Sequence, residues 1–164
     1  MATLAISAVG LDRPGIIAGV AERLAALGAN VTDSRMAILR GHFAMTLIVE
    51  GAEREALAAD LQELPVLETV AVSEVAEAAG NPRSAPTHVV SVHGADHPGI
   101  VAAVTRALAD AGANVTDLQT RLARDLYVMV IDVAVPAGTD LGLDAVAREQ
   151  DVKITVRPVE PDVL

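Results

Sequence analysis

Asp12-Arg13-Pro14-Gly15-Ile16 leads, through a short apolar stripe, into Gly28-Ala29-Asn30-Val31-Thr32-Asp33. Both stretches return at the same spacing as Asp96-His97-Pro98-Gly99-Ile100 and Gly112-Ala113-Asn114-Val115-Thr116-Asp117. Of the 22 positions from Asp12 to Asp33, laid on Asp96 to Asp117, 14 are identical. The chain is therefore two copies of one unit. What is copied is a loop, a helix start and a strand start, the kind of segment that binds small ligands.

Outward from these stretches, each half shows the same order of elements. Leu4, Ile6 and Ala8 alternate with Thr3, Ala5 and Ser7, and Val90 and Val92 fall at the matching places, so each half opens with a strand. After the Pro-Gly step, Ile16, Ile17, Val20, Leu24 and Leu27 follow helical spacing, and Ile100, Val101, Val104, Leu108 and Ala111 repeat the stripe. Proline suits the first helical turn, where its missing N–H has no acceptor. Gly28 and Gly112 mark the stop, where a left-handed cap costs least. Asn30 and Asn114 then begin the next strand. Two strands follow, joined near Arg40-Gly41-His42 or Arg124-Asp125, with Phe43, Met45, Leu47 and Val49 matched by Tyr127, Met129, Ile131 and Val133. A second helix is expected from Ala52 to Glu63 and from Leu141 to Glu149. Each leads to a last strand in which Val70 and Val72 match Ile154 and Val156.

The order β-α-β-β-α-β, met twice, predicts an α+β protein of two ferredoxin-like units, each an antiparallel sheet with both helices on one face. Residues 77–86 hold two prolines and a glycine without hydrophobic periodicity and read as a linker. The expected domains are 1–76 and 87–164.

Composition narrows the function classes. A net charge of −10 gives no basic patch for a phosphate backbone, so direct binding to nucleic acid is not expected. With no cysteine there is no disulfide, no thiolate nucleophile and no Cys-based zinc site, and the 4 histidines are scattered. His93 and His97 read as surface or loop residues rather than metal ligands. No apolar run is long enough to span a bilayer and the start lacks the layout of a signal peptide, so the expectation is a cytoplasmic protein without membrane contact. No nucleophile with an adjacent base, no carboxylate pair over a substrate pocket and no phosphate-cradling loop points to an enzyme, and no cofactor is implied.

The fold hosts many functions, so the site has to decide. RNA recognition on such a sheet needs exposed aromatics on the central strands, whereas Phe43 and Tyr127, the only two here, lie on the inward face. A metal carrier would need a cysteine pair in the first loop. An acyl-phosphate hydrolase would need an arginine there, and Arg13 is answered by His97. The repeated residues suit an amino acid instead. A Pro-Gly helix start leaves the N–H groups of Gly15 and Ile16, and of Gly99 and Ile100, at the positive end of a helix dipole, where a carboxylate fits. Asp12 or Asp96 can orient the loop or accept from an α-ammonium group, and the amide of Asn30 or Asn114 offers a donor and an acceptor. Each residue also has a structural reading: the aspartates as helix caps, the asparagines as turn residues, Gly28 and Gly112 as terminators, and Thr32, Asp33, Thr116 and Asp117 as the polar side of a strand. Duplication copies structural residues as faithfully as functional ones, so both readings stay open here.

The Asp-x-Pro-Gly-Ile loop, the striped helix, the Gly-Ala-Asn turn and the element order resemble the ACT domain, present twice. Two such domains with little else resemble the glycine cleavage system transcriptional repressor family. The resemblance implies a non-enzymatic sensor whose ligand, an amino acid, binds at an interface between paired ACT units. Carried over by position, the ligand-binding candidates are Asp12, Pro14, Gly15, Ile16 and Asn30, with Asp96, Pro98, Gly99, Ile100 and Asn114. It further implies regulation through a DNA-binding activator protein. The alternative is an interaction scaffold whose ligand site is vestigial. Val128 and Val130, with Ile48 in the first copy, put apolar side chains on the sheet face away from the helices, which predicts burial against another domain or subunit and a homodimer.

Overall fold

The computed structural model describes residues 2–76, 85–124 and 126–159. They form two compact units that divide between residues 79 and 80, within the stretch read as a linker, of which 77–84 lie outside the described residues.

The first unit runs β1 (Thr3–Leu11), α1 (Ile16–Ala26), β2 (Asn30–Leu39), β3 (His42–Glu50), α2 (Arg54–Gln62) and β4 (Leu67–Val75). The second repeats the order as β5 (His88–Ala95), α3 (Ile100–Asp110), β6 (Asn114–Ala123), β7 (Leu126–Ala134), α4 (Leu143–Glu149) and β8 (Val152–Pro158). The sheets are ordered β2-β3-β1-β4 and β6-β7-β5-β8, with every neighbouring pair antiparallel. This is the expected fold, twice.

Alternation fixes which face each strand buries. Leu4, Ile6 and Ala8 of β1 and Phe43, Met45, Leu47 and Val49 of β3 are buried, and they pack with Ile16, Val20 and Leu24 of α1 and Leu57 and Leu61 of α2 in one cluster. Val90, Val92, Tyr127, Met129, Ile131 and Val133 form the matching core with Ile100, Val104, Leu108, Leu143 and Val146. Both helices of each unit therefore cover one face of its sheet.

The helical stripe is narrower than its sequence pattern. Residues 16, 20 and 24 recur every four positions and share one face, whereas Ile17, one step of about 100° round the helix, is 46% exposed, as Val101 is 41% exposed. The second helices begin two residues later than expected. Glu53 is extended at ψ 136°, so α2 starts at Arg54. Ahead of α4, Gly142 takes a left-handed φ of 64° and its N–H donates to Asp140 Oδ1 at 3.0 Å. Gly28 and Gly112 do end α1 and α3, at φ 74° and 70°. Their neighbours close the helix ends by Ala29 N–H to Leu24 C=O and Ala113 N–H to Leu108 C=O, both 2.9 Å. Arg40 and Gly41, both left-handed, turn β2 into β3. Arg124 is left-handed in the second copy, and Asp125 lies outside the described residues.

The face without helices is mixed. Arg35, Thr46 and Ser7 share it with Val9, Leu11 and Ile48, and in the second unit Leu126 and Val130 are exposed there, the latter at 40%. Apolar positions on an otherwise open sheet face match the sequence expectation.

Candidate functional site

The loop between β1 and α1 is held by the sheet beneath it. Asp12 N–H donates to Gly41 C=O at 2.9 Å, so the loop rests on the β2–β3 turn. The helix that follows starts one step later than a proline at its first turn would give. Gly15, not Asp12 or Pro14, is the residue before the first helical position, at φ 91°, and Gly99 repeats it at φ 106°. Only glycine adopts this conformation without a Cβ penalty. Being glycines, these residues offer no side-chain oxygen to the helix, and of the two readings of Asp12 and Asp96 the one as helix caps does not hold. The first rung of each ladder is Gly19 N–H to Gly15 C=O and Ala103 N–H to Gly99 C=O, both 2.9 Å. The N–H groups of Gly15, Ile16, Ile17 and Ala18, and of Gly99 through Ala102, thus have no acceptor within their helix. They lie at its positive end.

In the first unit this helix start opens on a cavity of about 240 Å³ lined by Asp12, Arg13, Gly15 to Ala18, Met36 and Phe43. Nothing lies within 4 Å of the position a Cβ would take on Gly15. Its lining joins one acidic and one basic residue to apolar ones.

The second unit differs. His97 sits where Arg13 does, with Nε2 2.8 Å from the Gln150 carbonyl oxygen and Nδ1 3.1 Å from that of Pro98. Two carbonyl acceptors can both be satisfied only if both ring nitrogens carry protons, so the geometry calls for the imidazolium. Accordingly its pKa is raised above the ordinary histidine value, first by the bond to Gln150, then by that to Pro98, with smaller help from the charges of Asp96 and Asp151. Tyr127, the counterpart of Phe43, is raised as well, by burial and then by the nearby Asp96 charge. His97 was read as a loop residue and is one, yet its bracing role across the unit had no signal in the local sequence.

Asn30 and Asn114 do not join these loops. Each is the first residue of an edge strand, paired with Glu50 or Ala134, whereas Asp12 lies beside the turn where that strand ends. The 11 residues of α1 separate the two ends, a span of roughly 16 Å at 1.5 Å per residue. The sequence reading that Asp12, Gly15 and Asn30 together grip one amino acid is therefore corrected for a single unit, and likewise for Asp96, Gly99 and Asn114. The repeated threonines have a structural task. Register slips by one residue at Thr32 and Thr116, and their hydroxyls donate to Ile48 C=O at 3.2 Å and Asp132 C=O at 3.1 Å, fixing a bulge in each edge strand.

A second cavity, of about 340 Å³, is lined by residues 135–141 of the second unit with His88, Leu143, Asp144 and Val156, and touches none of the candidate residues. Among the described residues no cluster of His, Asp and Glu could hold a metal ion, and no helix is long and apolar enough to cross a membrane.

The geometry describes a tandem repeat of a small βαββαβ module with a glycine-started helix. The family model of the ACT domain matches residues 2–70 and again residues 88–149, and the chain belongs to the ACT domain family, carrying the domain twice. Among curated proteins it resembles the glycine cleavage system transcriptional repressor of Escherichia coli, 29% identical over 92% of this chain and 82% of the relative. It also resembles a UPF0237 protein of Methanopyrus kandleri, 39% identical over 39% of this chain and 88% of the relative. Among solved structures, an unknown protein from Galdieria sulphuraria is 30% identical with a TM-score of 0.77 over 97% of this chain and 99% of that one.

Proposed function

We propose that this chain is a non-enzymatic regulatory protein that binds an amino acid through its ACT units and modulates amino-acid metabolism through a protein partner. The observation that carries this reading is the duplicated glycine-started helix, whose N–H groups without a helical acceptor belong, in the first unit, to Gly15 to Ala18, residues that line a cavity together with Asp12 and Arg13. A carboxylate is drawn to those N–H groups by hydrogen bonding and the helix dipole together. An α-ammonium group is matched by Asp12.

Because Asn30 and Asn114 stand at the far end of their helices, such a ligand meets an asparagine only from a second ACT unit. A ligand at that junction stabilises the paired state by its differential affinity and so changes the surface a partner reads. Near full-length similarity to a glycine cleavage system transcriptional repressor supports a regulatory role in amino-acid metabolism, with a DNA-binding activator as the kind of partner, and an acidic chain suits contact with protein rather than DNA.

The test is thermal melting of the full chain against each of the twenty amino acids. A ligand that binds only the folded state raises Tm, and the best one should lose affinity in Asn30→Ala or Asn114→Ala while the fold persists. If no amino acid shifts Tm and the chain still captures a partner, it is a scaffold with a vestigial site.

A further inference from the structure

The two helix starts are copies in sequence and unlike in their surroundings. At Gly15 the space a side chain would fill is empty to 4 Å, whereas at Gly99 the Gln150 side chain reaches in, its Oε1 3.6 Å from the Cβ position. Gln150 closes α4 as Glu63 closes α2, and His97 stands where the first unit has Arg13. His97 bonds the Gln150 carbonyl and its own loop at Pro98, so loop and α4 terminus are fastened together in front of the second helix start. In the first unit Arg13, at the position of His97, lines the cavity instead.

The chemistry of the walls diverges in the same direction. In the first unit Ile16, Ile17, Met36 and Phe43 face the cavity. At the corresponding positions the second unit has Ile100, Val101, Thr120 and Tyr127, smaller or more polar at three of the four. Asp12 and Arg13 in the first lining cancel in formal charge, which favours a ligand without net charge. An apolar wall disfavours a polar side chain, since burying one without a partner costs free energy.

We infer that the first unit alone receives the ligand, a zwitterionic amino acid with an apolar side chain, and that Gln150 and His97 hold the second unit's equivalent start closed. This rests on the amino-acid reading above and adds which copy binds and what it selects.

The full-length chain, labelled with 15N, is titrated with L-leucine, L-methionine, glycine and L-glutamate, and stoichiometry is measured by calorimetry. Leucine or methionine should bind at one equivalent per chain, at least tenfold more tightly than glutamate or glycine. The amides of Gly15 to Ala18 should shift and those of Gly99 to Ala102 should not. His97→Arg combined with Gln150→Val should raise the count to two equivalents. Two equivalents in the unaltered chain, with both sets of amides moving, would overturn the asymmetry while the amino-acid reading stands. Preference for glutamate or glycine would overturn the side-chain class. A double variant that melts cooperatively yet still binds one equivalent would overturn the role given to His97 and Gln150. If none of the four moves any amide at either start, this inference fails, and the twenty-amino-acid melt shows separately whether the broader reading fails with it.

Discussion

Arg23 Nη1 donates to Asp60 Oδ1 at 2.8 Å and so joins α1 to α2 over the first sheet. At the position of this arginine the second unit has Ala107. Asp60 Oδ2 is buried without a hydrogen-bond partner, so the carboxylate relies on this one cation. A double-mutant cycle on Arg23→Ala and Asp60→Ala should give a coupling of roughly 0.5–1 kcal/mol, the size of a partly exposed pair. Arg23→Ala should cost more than Asp60→Ala, because it leaves a half-buried charge behind. Urea melts of the four proteins check both statements.

The left-handed residue before each helix predicts a local cost. Gly15→Ala and Gly99→Ala place a Cβ at φ 91° and 106° and should each destabilise by about 1–2 kcal/mol. Both sites are open enough that strain, not collision, is the cause. A loss far above that range in denaturant melts would mean the loops are packed more tightly than described.

His97 makes the second unit sensitive to pH. Its folded pKa is raised, so its contribution to stability is fully present below the unfolded value near 6.5 and is lost as pH rises through the higher folded value. Tm measured from pH 5.5 to 8.5 should therefore fall more in the unaltered chain than in His97→Ala. Equal slopes would exclude the bracing role.

Val130 lies exposed near the middle of the open sheet face of the second unit. If that face is covered in a pair of units, Val130→Lys should lower self-association in light scattering at unchanged helix and strand content. Stability of the dissociated chain should move by no more than about 0.5 kcal/mol, as for an ordinary surface change.

Much of the fold was legible because burial on a two-sided sheet imposes period two. Phe43, Met45, Leu47 and Val49 read as one face and are one face. Helix boundaries were less so, since the start of α4 depends on a glycine conformation and an Asp140 side-chain bond rather than on apolar spacing. At the site, the Pro-Gly helix start was visible in the repeat. That Asn30 stands a helix length from Asp12 follows only from strand direction, which adjacency in the chain conceals. The contact of His97 with Gln150 spans 53 positions and had no local signal at all.

Each unit encloses its own set of buried side chains, one centred on Phe43 and Leu57, the other on Met129 and Leu108. The two sets share no residue, so each unit has a core of its own to fold around. Separate cores let selection work on the two loops one at a time, and the difference between Arg13 and His97 at one repeated position is a divergence of that kind.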